Sequence, residues 1–206
     1  MKKVLCFGDS NTWGYIPACG SRYDKTKRWT GILQSLVGDE FKIIEAGCCN
    51  RTGFADNPCG VDMTGYKALP KYLDKSPDIV ILAVGINDTQ KIYNYSLDDI
   101  KDGITNLIYI TREHVPNAKI IIVSPACINE NIKNSHFKIM FDTTSIEKSK
   151  HIADIYREVA NIENCMFADW NRIVEVSLSD GLHLSEEAHQ IIAHKMYELL
   201  QNYRTI

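Results

Sequence analysis

The segment Ile79-Val80-Ile81-Leu82-Ala83-Val84-Gly85-Ile86-Asn87-Asp88 runs six consecutive apolar residues into a Gly-Ile-Asn-Asp turn. It is strand-length and does not alternate, so both faces need cover, which is the condition inside a parallel sheet flanked by helices. On the N-terminal side, Lys3 to Phe7 and Phe41 to Glu45 have the same character. On the C-terminal side, Lys119 to Val123 repeats it and Cys165 to Ala168 is a weaker fifth run.

Helical patterns separate these runs. Ser96 caps a pattern in which Leu97, Ile100, Ile104, Leu107, Ile108 and Thr111 recur at three-to-four spacing until Pro116. Thr144 with Glu147 reads as a capping box ahead of Ile146, Ile152, Ala153, Tyr156, Val159 and Ala160. Ser185 caps a last helix with Ala188, Ile191, Ile192, Met196, Leu199, Leu200 and Tyr203 on one face. Strands alternating with helices predict right-handed crossovers and a three-layer α/β/α fold around a central, mostly parallel five-stranded sheet of flavodoxin-like architecture. The segments 14–28 and 51–61 are read as loops leaving the C-terminal edge of that sheet, where ligands bind in open α/β folds.

The 206 residues, 45% of them hydrophobic, suit a single domain over 1–206 that folds without disulfides or metals. A net charge of -3 with no block of five like charges argues against nucleic acid and a polybasic membrane patch. The eight residues from Ile79 to Ile86 fall short of the roughly 20 that span a bilayer, so no membrane insertion is expected. The start of the chain offers too few apolar residues before Asp9 for a secretory h-region, and seven cysteines without a Cys-x-x-Cys fit a reducing cytoplasm. A homo-oligomer is left open.

Four turns follow predicted strands or precede the last helix. Gly8-Asp9-Ser10-Asn11-Thr12-Trp13-Gly14 can present the Ser10 hydroxyl at the sheet edge, though it matches neither Gly-x-Ser-x-Gly nor a phosphate loop. Asn87 can donate its side-chain amide to a developing oxyanion, and the loop from Glu45 through Asn50 to Gly53 can aim a backbone N–H at the same space. In Asp180-Gly181-Leu182-His183 the carboxylate can meet Nδ1 and leave Nε2 free to take a serine proton. Each turn alone is equally well an ordinary structural turn; four converging on one edge are harder to dismiss. A metal site from His183, Glu187 and His189 matches no familiar spacing. Cys48 and Cys49 raise a thiol nucleophile, but small buried hydrophobes are the better reading. Trp13, Phe137, Met140 and Phe141 are candidates for the walls of an apolar substrate pocket.

Taken together, Gly8-Asp9-Ser10, Gly85-Ile86-Asn87-Asp88 and Asp180-x-x-His183 resemble the three blocks of the SGNH or GDSL hydrolases. Gly8 to Gly14 with Arg28-Trp29-Thr30-Gly31 is similar to their bacterial arylesterase and acyltransferase branch. The resemblance implies Ser10 as nucleophile, His183 as general base and Asp180 as its orienter. It also implies an oxyanion hole from the Ser10 N–H, the Asn87 side chain and a backbone N–H at Asn50, where the family usually has Gly; Gly47 is the alternative donor. The implied reaction is hydrolysis of short-chain or aryl esters of small molecules through an acyl-serine, with acyl transfer as a variant and no metal or organic cofactor. A carbohydrate O-acetyl esterase would share every one of these residues. A non-catalytic small-molecule binding module would need none of them together.

Overall fold

The structure, a computed structural model, describes residues 1–202. Strands β1 (Lys2–Gly8), β2 (Phe41–Gly47), β3 (Ile79–Ala83), β4 (Lys119–Ser124) and β5 (Met166–Asp169) form one sheet in the order β2-β1-β3-β4-β5. Every pairing is parallel, with β1 central enough to register against both β2 (Gly8 on Gly47) and β3 (Gly8 on Ala83). This is the expected α/β/α architecture, and its strand order reverses direction between β1 and β3.

Because side chains alternate along a strand, each apolar run feeds two cores. Leu5, Phe7, Val80, Leu82, Ile120 and Ile122 point to one face, covered by α3 (Gly65–Leu73), α4 (Leu97–His114) and α5 (Thr143–Ile162). Val4, Cys6, Ile79, Ile81, Ile121 and Val123 point to the other, covered by α2 (Trp29–Val37) and α6 (Glu186–Asn202). A short α1 (Ser10–Trp13) follows β1 directly.

The expected cap of α4 forms as a reciprocal pair, with Ser96 Oγ accepting the Asp99 N–H and the Asp99 carboxylate accepting the Ser96 N–H. In α5 the box lies earlier than Thr144 and Glu147. Asp142 accepts the Ser145 N–H at 3.0 Å while Ser145 Oγ accepts the Asp142 N–H, so the shorter carboxylate side chain starts the helix. Ser185 Oγ accepts the Ala188 N–H at the start of α6. Ile191 is exposed and does not share the buried face of α6 with Ile192 and Met196, and Tyr203 lies outside the described residues. No helix is long and apolar enough to cross a membrane among the described residues.

Candidate active site

Ser10 is the first residue of α1, and Asp9 caps that turn by accepting the Asn11 N–H at 2.8 Å. The turn can close on the strand because a Cβ at Gly8 would lie 2.0 Å from Thr12 Oγ1 and 2.9 Å from the Ala83 carbonyl. Asn11 bolts this turn to a segment 173 residues away, its Oδ1 accepting the Leu184 N–H at 3.0 Å. Sequence reasoning missed Asn11, because nothing local marks so distant a partner.

The 180–184 segment folds back on itself around the Asp180 carboxylate. Asp180 Oδ1 accepts the Leu182 and His183 N–H groups, each at 3.0 Å, and Oδ2 faces His183 Nδ1 at 2.8 Å. Gly181 adopts a φ of +75°, and a Cβ there would lie 2.3 Å from the Ile132 nitrogen, so glycine is required twice over. His183 Nε2 lies 3.0 Å from Ser10 Oγ. Hydroxyl, imidazole and carboxylate therefore stand in series, all three buried. Burial lowers the His183 pKa and Asp180 partly offsets that, which leaves a neutral imidazole at neutral pH. Burial works to raise Asp180 in turn, but His183 and the backbone donors outweigh it and hold the carboxyl at about 2.

Asn87 sits in a 3-10 turn, Ile86–Thr89, directly after β3. Its Nδ2 donates to the Arg51 carbonyl at 3.0 Å and its Oδ1 accepts from Gln90 Nε2 at 3.1 Å, which fixes the amide and leaves a second N–H. Asn50 is held at a φ of +59°, and its Oδ1 accepts from the same Gln90 amide at 2.8 Å. Both line one cavity with Ser10 and His183. Gly47 does not; a Cβ there would lie 2.2 Å from the Trp13 nitrogen, so its glycine serves the packing of α1 on β2.

Asp88 accepts three successive N–H groups, from Gly53, Phe54 and Ala55 at 2.6, 2.9 and 2.8 Å, and so clamps the loop that follows Asn50. Burial raises its pKa to about 6 against those donors. Asp9 is raised to about 7, again by burial, with the Asn11 N–H and Arg51 opposing.

The cavity measures about 210 Å³ and is lined by Ser10, Tyr15, Cys49, Asn50, Asn87, Phe137, Met140, Phe141, Leu182 and His183. Phe137 and Phe141 are thus among the residues that line this cavity. Trp13 does not line it: it ends α1, its ring centroid 6.5 Å from that of Tyr15, with Arg22 over its face. Tyr15, unremarked within a segment read as loop, stacks on His183 instead. Cys48 and Cys49 are half-buried, not fully buried as small hydrophobes would be. Burial pushes the Cys49 thiol up to about 11, so it faces the cavity protonated.

His189 is fully buried on α6, where Nδ1 accepts the Trp29 N–H at the start of α2 at 3.3 Å. That bond replaces the side-chain cap that Arg28 does not provide, and it requires the neutral ring. Burial lowers the His189 pKa to about 3. Among the described residues no group of three or more His, Cys, Asp and Glu side chains is placed to hold a metal ion.

The model of the GDSL-like lipase/acylhydrolase family matches residues 6–191. Among solved structures, the chain is similar to an aryl esterase from M. smegmatis, with 27% identity and a TM-score of 0.90 over 98% of this chain and 99% of that one. It is also similar to a carbohydrate acetylesterase from Sinorhizobium meliloti, with 29% identity and a TM-score of 0.90 over 98% of this chain and 100% of the other. A carbohydrate acetylesterase family member from the same organism gives 30% identity and 0.93 over the whole of both chains. No curated protein matches the chain by sequence.

Proposed function

The chain belongs to the GDSL-like lipase/acylhydrolase family, and on that premise we propose that it is a serine ester hydrolase in which Ser10, His183 and Asp180 act as one unit. The observation that carries this reading is the unbroken series from Ser10 Oγ to His183 Nε2 at 3.0 Å and from Nδ1 to Asp180 Oδ2 at 2.8 Å. A serine hydroxyl at its ordinary pKa is a weak nucleophile, so His183 takes its proton as Oγ attacks the ester carbonyl. Asp180 fixes the tautomer that presents an unprotonated Nε2 and stabilises the imidazolium.

The tetrahedral oxyanion is met by the Ser10 N–H, the free N–H of Asn87 and the Asn50 N–H. Donors of this kind act because the fold has already oriented them, and Gln90 and Asp88 do that orienting here. Collapse expels the alcohol, which receives the proton from His183, and leaves acyl-Ser10. Water then repeats the sequence and releases the acid.

The substrate is a small-molecule ester with a short acyl or aryl group. The wall of Tyr15, Phe137, Met140, Phe141 and Leu182 offers apolar contact and little to hydrogen-bond a sugar hydroxyl. A carbohydrate O-acetyl esterase is the second reading, favoured by the likeness to the S. meliloti enzymes. Comparing kcat/KM for phenyl acetate and for acetylated monosaccharides tests the choice. The apolar wall is expected to favour the aryl ester by at least about tenfold, on the scale of one or two buried methylenes. A preference for the sugar ester assigns the second reading. Cytoplasmic residence and a single domain over 1–206 belong to the same proposal.

A further inference from the structure

Tyr15 lies almost parallel to His183, ring centroids 4.0 Å apart and planes 22° apart, while Phe137 meets the same imidazole at 5.0 Å and 60°. Two hydrogen bonds hold the imidazole by its edge, at Nδ1 and Nε2; the Tyr15 ring covers one face and Phe137 packs at an angle beside it. Tyr15 is itself fixed. Its N–H donates to the Ser10 carbonyl at 3.0 Å, it bridges to Arg22, and its ring packs on Phe137 at 6.0 Å. The segment it begins returns to the site at Ala18, whose N–H donates to Asp180 Oδ2 at 3.2 Å, the oxygen that faces His183. One strap, residues 14–22, thus touches the nucleophile's backbone, the face of the base and the carboxylate behind it.

We propose that Tyr15 is a positioning residue for the general base, its ring face holding the His183 imidazole in line with Ser10 and favouring the imidazolium over the neutral ring. The proposal rests on the acyl-serine reading. An aromatic face carries negative quadrupole potential, so it attracts a cation more than a neutral ring. The stack is therefore worth more once His183 has taken the serine proton than before, which is the condition for lowering a barrier. The other titratable groups around His183 are Asp180 on its own loop and His136 from the 128–142 segment, which act on it, and His189 of α6, on which His183 acts in turn. None of them belongs to the strap, so an aliphatic replacement of Tyr15 leaves those groups in place while it removes the ring contacts with His183, Phe137 and Trp13.

The test follows the His183 titration by 15N NMR in wild type, Tyr15→Leu and Tyr15→Phe, with His183→Gln to assign the signal. Alongside it, kcat/KM for p-nitrophenyl acetate is measured against pH. Leu keeps the bulk without the quadrupole, so the midpoint and the acid limb are expected to move together to lower pH by about half to one unit. On the same change, kcat is expected to fall roughly 2- to 30-fold, the range of one cation–π contact. Tyr15→Phe is expected to carry both pH readings back. Tyr15→Met is the second aliphatic variant should Tyr15→Leu fail to fold. An unmoved midpoint with a change confined to KM overturns the proposal and leaves Tyr15 as a pocket wall. If the midpoint moves while the wild type turns over no ester, the stack stands and the esterase reading falls.

Discussion

Arg51 donates from Nη1 to the Gly8 carbonyl at 2.9 Å, so a wholly buried guanidinium joins the loop carrying Asn50 to the end of the strand that delivers Ser10. The same nitrogen donates to the Ala46 carbonyl and Nε to Asp62 at 3.0 Å, while the ring of Phe7 lies 4.4 Å from the guanidinium carbon. A buried charge of this kind is tolerated because carbonyls surround it, and Asp9 lies close enough to feel it.

Arg51→Met keeps the bulk and removes the donors. The Gly8 carbonyl keeps the Cys48 N–H, while the Ala46 and Asp62 carbonyls each lose a donor at about 1–3 kcal/mol, so urea unfolding is expected to show a loss of at least about 2 kcal/mol, with lower kcat. Unchanged stability would contradict the account of how this loop is held.

Asn87→Ala deletes the oxyanion donor of the proposed mechanism and the anchor on the Arg51 carbonyl. The expected result is a fall in kcat of about 10²- to 10³-fold on p-nitrophenyl acetate, the scale for one such donor, with a much smaller change in KM. A change confined to KM would place Asn87 outside the hole.

His189 stabilises the fold only as the neutral ring. Its folded pKa of about 3 lies below the ordinary 6.5, so the unfolded chain binds the extra proton between those values. Stability therefore rises with pH across that window and is lost as pH falls from about 6.5 toward 3. His189→Leu leaves the Trp29 N–H unpaired, at a cost of about 1–3 kcal/mol at pH 7. It is also expected to flatten the acid slope, measured as urea midpoints at pH 7 and pH 5. An unchanged slope would contradict the role of the neutral ring.

Asp88 carries the opposite sign. Its folded pKa of about 6 stands above the ordinary 3.8, so the folded state holds the extra proton between them, and stability from this group declines as pH rises through that range. Asp88→Asn is expected to remove that decline while weakening the clamp on Gly53, Phe54 and Ala55. Thermal unfolding at pH 4 and pH 7 reads it, with the variant lower in Tm at both. A variant as stable as wild type at pH 4 would contradict the clamp.

The five strands are legible because runs such as Ile79 to Ala83 must be buried on both faces. The turns that follow them carry Ser10 and Asn87, so the meeting of these residues with Asp180 and His183 follows from the parallel order of the sheet. Helices α2 and α3 are not legible. Gly31 sits inside one and Pro70 inside the other, breaking the pattern that marks a helix. Tyr15 and Asn11 were missed for another reason: their partners, His183 and Leu184, are distant in sequence, and no local periodicity encodes the contact. The place given to Trp13 fails because a four-residue helix gives too little pattern to tell which way its last side chain turns.

The central claim is that Ser10 is an activated nucleophile, and covalent labelling reads that directly. The protein is incubated with a fluorophosphonate and the adduct located by peptide mass spectrometry, with p-nitrophenyl acetate turnover measured on the same samples. The account expects one adduct, on Ser10, with turnover lost in proportion, and neither labelling nor turnover in folded His183→Ala. Folded wild-type protein that hydrolyses the ester with Ser10 unmodified would contradict it.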